Sequence, residues 1–147
     1  MRIGLDVHGV IDRFPREFAW LTQRWVRFHR HEVPIVTGEG WDTAASQVEG
    51  RGIVHTNHFS IVDHHMSIGT PMELKDSGWW MQQQEWDMSK GAYAKRVGLD
   101  IHFEDTLAYA PWFPSSCAFI HVGKDFETVL KVMRDFNTAF DYFHGIV

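Results

Sequence analysis

The chain has 147 residues, 44% of them hydrophobic with 7 Trp and 11 Phe, which is enough to fill the core of one domain and too apolar for a disordered segment. Lys and Arg number 14 against 19 Asp and Glu, and the formal net charge of -5 gives no broad basic footprint for nucleic acid; only a local patch of Arg24, Arg27 and Arg30, on one side of the first predicted helix, would suit such a partner. One cysteine, Cys117, excludes an intrachain disulfide and a thiolate metal cluster. No apolar run approaches the roughly 20 residues of a membrane span and no signal region precedes the first strand, so no membrane partner is expected and a reducing cytoplasm is the expected compartment.

At the N-terminus, RIGLD predicts a short strand that ends in a charge, Asp6, and Gly9 then allows a sharp turn. Pro15 suits a first helical turn. Phe18, Leu21, Trp25 and Phe28, with Phe14 just ahead, form one apolar face of a helix laid on a sheet. The run Val33 to Thr37 predicts a second strand, with Pro34 near its start, and Gly38 and Gly40 break it before a weak helical segment around Asp42 to Val48. A third apolar run, GIVHT, begins at Gly52 and continues in HFSIV. From Asp63 to Asp87 no period dominates; the SGWWMQQQEW segment fits either an extension over a site or a cover for the sheet. A helix from Met88 to Val97 ends at Gly98, LDIHF predicts a strand followed by Glu104 and Asp105, and CAFIHV predicts a last strand with Cys117 in the core. Phe126, Val129, Leu130, Met133, Phe136 and Phe140 mark a closing helix.

Strands separated by helices imply right-handed crossovers and a mostly parallel sheet covered on both faces. The expected fold is therefore α/β, a three-layer Rossmann-like domain spanning 1–147, with room for a small embellishment at 63–87. Ligands of such sheets bind beyond the carboxyl ends of the strands, a rule that gathers Asp6, Thr37, Glu104 and Asp105 at one edge.

The residue types at that edge suit phosphoryl transfer. Asp6 is a carboxylate nucleophile for phosphorus and a metal ligand; Glu104 and Asp105 add oxygen ligands for magnesium, which offsets the repulsion between two negative partners. Thr37 offers a hydroxyl to a phosphoryl oxygen, and Lys90, near the start of a helix, offers a point charge, with Lys95 as its competitor. The bland alternatives are a polar strand end at Asp6, packing at Thr37, a surface lysine at 90 and a solvated turn at 104–105.

In order along the chain, DVHGV, PIVTG, the SK of WDMSKGAYAKRVGLD and IHFEDT resemble the four motifs of the haloacid dehalogenase-like (HAD) hydrolases. The resemblance covers about residues 1 to 124 and implies a HAD-like fold, a phosphatase forming an aspartyl-phosphate at Asp6, and a magnesium ion held by Asp6, Glu104, Asp105 and the His8 backbone carbonyl. Two positions depart from the pattern. His8 stands where the family has the aspartate that protonates the leaving group and later activates water; an imidazole, with a reference pKa near about 6.5, carries protons around neutrality with a different reach. Glu104 replaces the first aspartate of the acidic pair, so manganese competes with magnesium as the working ion, and Asp105 with Glu104 as the closer ligand.

The first reading is thus a phosphohydrolase; the second is a catalytically impaired HAD-like protein that binds a phosphorylated ligand or protein partner, and His8 separates them. A third reading is a metal module formed by Asp63, His64 and His65 of IVDHH with His58, set against a simple polar helix start. Between Asp6 and Thr37 there is no room for a cap. An open site would admit an accessible phosphate on a macromolecule, a partner subunit in an oligomer would close it, and folding of the Trp79, Trp80 and Trp86 region over the cleft would select a phosphorylated small molecule.

Overall fold

The computed structural model describes residues 1–143. Seven strands and five α-helices follow one another as β1 (Ile3–Leu5), α1 (Pro15–Gln23), β2 (Pro34–Thr37), α2 (Trp41–Gly50), β3 (Asn57–Ser60), α3 (Ile61–Ser67), β4 (Glu73–Lys75), β5 (Gly78–Trp80), α4 (Gln83–Val97), β6 (Ile101–Glu104), β7 (Ala118–His121) and α5 (Phe126–Phe143). A 3-10 segment, Leu107–Trp112, lies between β6 and β7. Five strands form one sheet in the order β3-β2-β1-β6-β7, every neighbouring pair parallel, while β4 and β5 make a separate antiparallel hairpin. Helices cover both faces, so the fold is the three-layer, Rossmann-like α/β arrangement.

Alternation along the strands builds the two halves of the core. Ile35 faces α1, α2 and α5, with Leu5, Phe18, Phe103 and Phe126; its neighbour Val36 faces α3 and α4, with Phe59, Tyr93 and Leu99. On the first side Phe18 stacks on Phe126 at 6.5 Å and meets Phe103 edge-on at 5.7 Å. Burial of each such ring stabilises the fold by roughly 2 kcal/mol. Two close approaches require glycine. On the second face a Cβ at Gly4 would come within 2.6 Å of His102 Nδ1, and a Cβ at Gly91 of α4 would come within 2.2 Å of the Trp112 carbonyl oxygen. Gly91 thereby lets the 3-10 segment lie directly on α4.

Several elements differ in extent from the sequence reading. The first helix runs from Pro15 only to Gln23 as a regular α-helix and then widens over Arg24–Phe28, where His29 N bonds back to Arg24 O. Arg30 follows at φ 57, outside any helix, so the three arginines do not share one helical face; Arg24 instead lies over the Trp20 ring at 4.6 Å. The third strand is Asn57–Ser60 alone, because GIVHT packs only Ile53 into the core and runs as a loop. α4 begins at Gln83, five residues before Met88, and the hairpin occupies the stretch that had no clear period. Cys117 is buried but immediately precedes β7. Val129 of α5 is exposed, and the Phe136 and Phe140 side chains lie outside the described residues. Among the described residues no helix is long and apolar enough to cross a membrane.

Candidate functional site

The chain winds from β1 outward to β3 and then returns to the other side of β1 at β6, so the strand order reverses between β1 and β6. At such a switch point the connections leave in opposite directions and open a crevice at the carboxyl ends. Asp6 follows β1 there, and Glu104 and Asp105 end β6 beside it, with Leu5 in register with Phe103. Asp6, Glu104 and Asp105 each present an oxygen within 4.8 Å of the others. Lys90 enters from α4: its ammonium lies 3.1 Å from Asp6 Oδ1 and 2.7 Å from Glu104 Oε2 and is 2% exposed. Lys95, its competitor in the sequence, is exposed on the outer face of the same helix.

The charge balance in this buried group is two carboxylates to one ammonium. Burial pushes the Asp6 carboxyl up to about 6, with the adjacent Lys90 opposing and Glu104 reinforcing the shift. Glu104 is raised for the same first reason, burial, against the pull of Lys90. Burial alone would depress Lys90, but the Asp6 and Glu104 carboxylates more than reverse it and keep the ammonium charged. Beneath them lies His102, fully buried and stacked on Phe113 at 4.8 Å, its Nε2 3.3 Å from Glu104 Oε2. Burial, and then the Lys90 charge, lower its pKa to about 3, so the ring is neutral and its Nε2–H donates to the carboxylate.

Glu104 therefore has both oxygens engaged: Oε2 accepts from Lys90 and His102, and Oε1 accepts from Thr106 N at 3.2 Å. It is fully buried, whereas Asp105 lines the cleft with Asp6, His8 and Lys90. Gly9, at φ +70, makes room for Asp105: a Cβ there would fall 2.1 Å from Asp105 Oδ2. Thr106 Oγ1 donates to Asp105 Oδ1 at 3.1 Å.

His8 projects into the cleft from the wide turn Val7–Ile11, flanked by Asp12 Oδ2 at 3.4 Å and in contact with Glu39 through Nε2. Glu39 also accepts from Gln47 Nε2 at 3.2 Å. Thr37 is fully buried at the end of β2, and its hydroxyl has no hydrogen-bond partner among the described residues. Sequence reasoning brought Asp6, His8, Thr37, Lys90, Glu104 and Asp105 to one edge, but did not single out Glu39, His102 or Tyr109. Glu39 follows Thr37 by two residues at the same strand end, but nothing in the sequence pattern pointed to its contact with His8, and nothing local marked Tyr109, whose ring lies 4.7 Å under the Lys90 ammonium.

The IVDHH tract does not converge. Asp63 Oδ2 accepts from Trp41 N, His64 packs on Phe59, and His65 bonds Thr70 Oγ1 and Ser89 Oγ, while His58 stacks on Trp41 at 3.9 Å. Among the described residues the one cluster of metal-ligating side chains is Asp6, Glu104 and Asp105. Ser60 caps α3 by accepting from Asp63 N, which is the helix start that the tract also predicts.

Comparison with protein-family models, curated proteins and solved structures finds no match for this chain.

Proposed function

We propose that this chain is a metal-dependent phosphohydrolase of the HAD-like type, with Asp6 as its nucleophile. The observation that carries the reading is the convergence of Asp6, Lys90 and Asp105 on one cleft at the strand-order switch point. The hard oxygen donors of Asp6 and Asp105 fit magnesium or manganese, with the His8 carbonyl as a further ligand and Glu104 set behind as the group that orients Lys90. When bound, the ion would neutralise phosphate charge that the acidic cleft otherwise repels.

In the first step an Asp6 oxygen attacks phosphorus and the bond from phosphorus to the leaving oxygen breaks. His8 gives that oxygen its proton. In the second step water attacks the aspartyl-phosphate, His8 takes a proton from the water, and the Asp6 carboxylate leaves with inorganic phosphate released. Lys90 holds its charge through both steps because two carboxylates flank it. The Thr37 hydroxyl is unpartnered but fully buried and outside the cleft lining, so it would meet a phosphoryl oxygen only after a local rearrangement.

The second reading, a phosphate-binding protein with impaired turnover, draws support from His8, whose imidazole is already engaged by Glu39 and Asp12. Hydrolysis of an aryl phosphate with magnesium and then manganese, by wild type, Asp6→Asn and His8→Asp, separates the two. Turnover by wild type that vanishes in Asp6→Asn supports the enzyme. An inert wild type beside an active His8→Asp makes binding the function.

A further inference from the structure

The phosphate end takes up only one side of the cleft. The cleft encloses about 870 Å³, within the range of small-molecule sites, and a three-carbon phosphate ester would leave most of it unfilled. The cleft is also lined by Trp79 and Trp80 from the β4–β5 hairpin and by Trp86 from α4, which stands at the Lys90 end. Trp86 is fixed in place: its Nε1 donates to Tyr109 OH at 2.9 Å, and its ring lies so close to Gly38 that a Cβ there would be 3.1 Å from it. Trp80 Nε1 donates to Ser77 Oγ at 3.0 Å. With their N–H groups already engaged, what these two indoles can offer a ligand is a ring face, and over the Trp80 ring the Lys75 ammonium already lies 5.1 Å from the centroid.

Charge narrows the ligand further. The ionised side chains on the cleft wall are the carboxylates of Asp6, Glu39 and Asp105 and one ammonium, Lys90, which is already shared between Asp6 and Glu104. Among the described residues no arginine lines it. A second phosphate would meet these acidic side chains, and Lys75, the cation over the Trp80 ring, is already paired with Glu73 at 3.3 Å.

We propose that the cleft takes a monophosphate ester whose leaving group carries a flat, uncharged aromatic ring system of the nucleoside monophosphate kind, seated against the Trp79, Trp80 and Trp86 indoles. The position of the phosphate rests on the phosphohydrolase reading; the aromatic wall does not.

The test is calorimetric binding of adenosine 5′-monophosphate, phenyl phosphate, glycerol 3-phosphate and adenosine triphosphate to Asp6→Asn protein in magnesium, beside turnover of the same compounds by wild type. Adenosine monophosphate should bind about tenfold or more tightly than glycerol 3-phosphate. Trp79→Ala and Trp80→Ala should each erode that preference several-fold, and Trp79→Phe should keep most of it; circular dichroism of each variant verifies the fold. Phenyl phosphate matching the nucleotide supports the aromatic class with one ring sufficing, and phenyl phosphate falling behind supports a nucleoside. Glycerol 3-phosphate binding as tightly as the nucleotide, or a preference that both tryptophan variants preserve, overturns the proposal, and so does tighter binding of the triphosphate. Tryptophan-dependent nucleotide binding without hydrolysis of any ester defeats the phosphohydrolase reading and leaves this one standing. Equal hydrolysis of all the monoesters does the reverse.

Discussion

Asp6, the proposed nucleophile, lowers the stability of the fold near neutral pH. Its carboxyl titrates at about 6 in the fold against an ordinary value of 3.8, so the folded state binds a proton that the unfolded chain has already released between those limits. Its contribution is therefore fully present below pH 4 and lost as pH rises through 6, a loss of roughly 3 kcal/mol. In chelator, Asp6→Asn should be more stable than wild type above pH 6 and should lack that part of the pH dependence, read from urea midpoints at pH 4 and pH 7. A variant with the same pH profile as wild type would show that Asp6 is not desolvated as described. Lys90 shows the converse. Lys90→Met leaves Asp6 and Glu104 buried without a cation, and unfolding at pH 7 should show a loss of about 3 to 5 kcal/mol. Asp6 was legible because a charge at the end of an apolar strand has few other uses, while Lys90 stood out from Lys95 only through the motif order that it shares with Asp6. Glu39 and His102 were not, since what they do depends on neighbours 31 residues before and 2 after them, at His8 and Glu104.

Among elements, β1 and β2 fell where their apolar runs put them, whereas the first helix did so only in part: α1 stops at Gln23, and Phe28, expected on its apolar face, is exposed. α1 is set by Phe18 and Leu21, and β2 by Ile35 and Val36, all buried. α4 has its polar first turns in Gln83, Gln84 and Glu85, so hydrophobicity marks only its later half, although backbone bonding starts at Gln83. The hairpin has three residues per strand, two of its exposed side chains being Leu74 and Trp80, and its strands pair only with each other. An isolated hairpin of this size is marginal in water. Its amides should exchange with solvent well before those of β1, β2 and β6 in a hydrogen-exchange time course; protection equal to the central sheet would contradict this. At the other close contact, Gly91→Ala drives a Cβ onto the Trp112 carbonyl, backbone that has no rotamer to yield. The 3-10 segment must shift, carrying Tyr109, with an expected loss of about 1 to 3 kcal/mol in thermal or urea unfolding.

Over the whole molecule, one sheet edge bears on both stability and the proposed binding of an ion. Three carboxylates crowd a site with one lysine, so a divalent cation that binds only the folded chain should raise the melting midpoint, by the equivalent of about 2.7 kcal/mol at a hundredfold excess over its dissociation constant. Magnesium titration by differential scanning fluorimetry should show that rise in wild type and a much smaller one in Asp105→Asn; an equal rise in both would move the ion elsewhere. The sequence by itself determined the α/β class, the alternation of strands and helices, and which residues stand at the carboxyl ends, because apolar period and turn residues are local properties that each segment carries with it. Only the tertiary structure decided that Asp105 faces the cleft while Glu104 is sealed behind it, that His8 meets Glu39, and that three tryptophans line the same cleft as Asp6 and Lys90. Those relations join residues from different elements. They are fixed by strand order and by how closely Gly9, Gly38 and Gly91 let neighbouring segments approach, which no single stretch of the chain encodes.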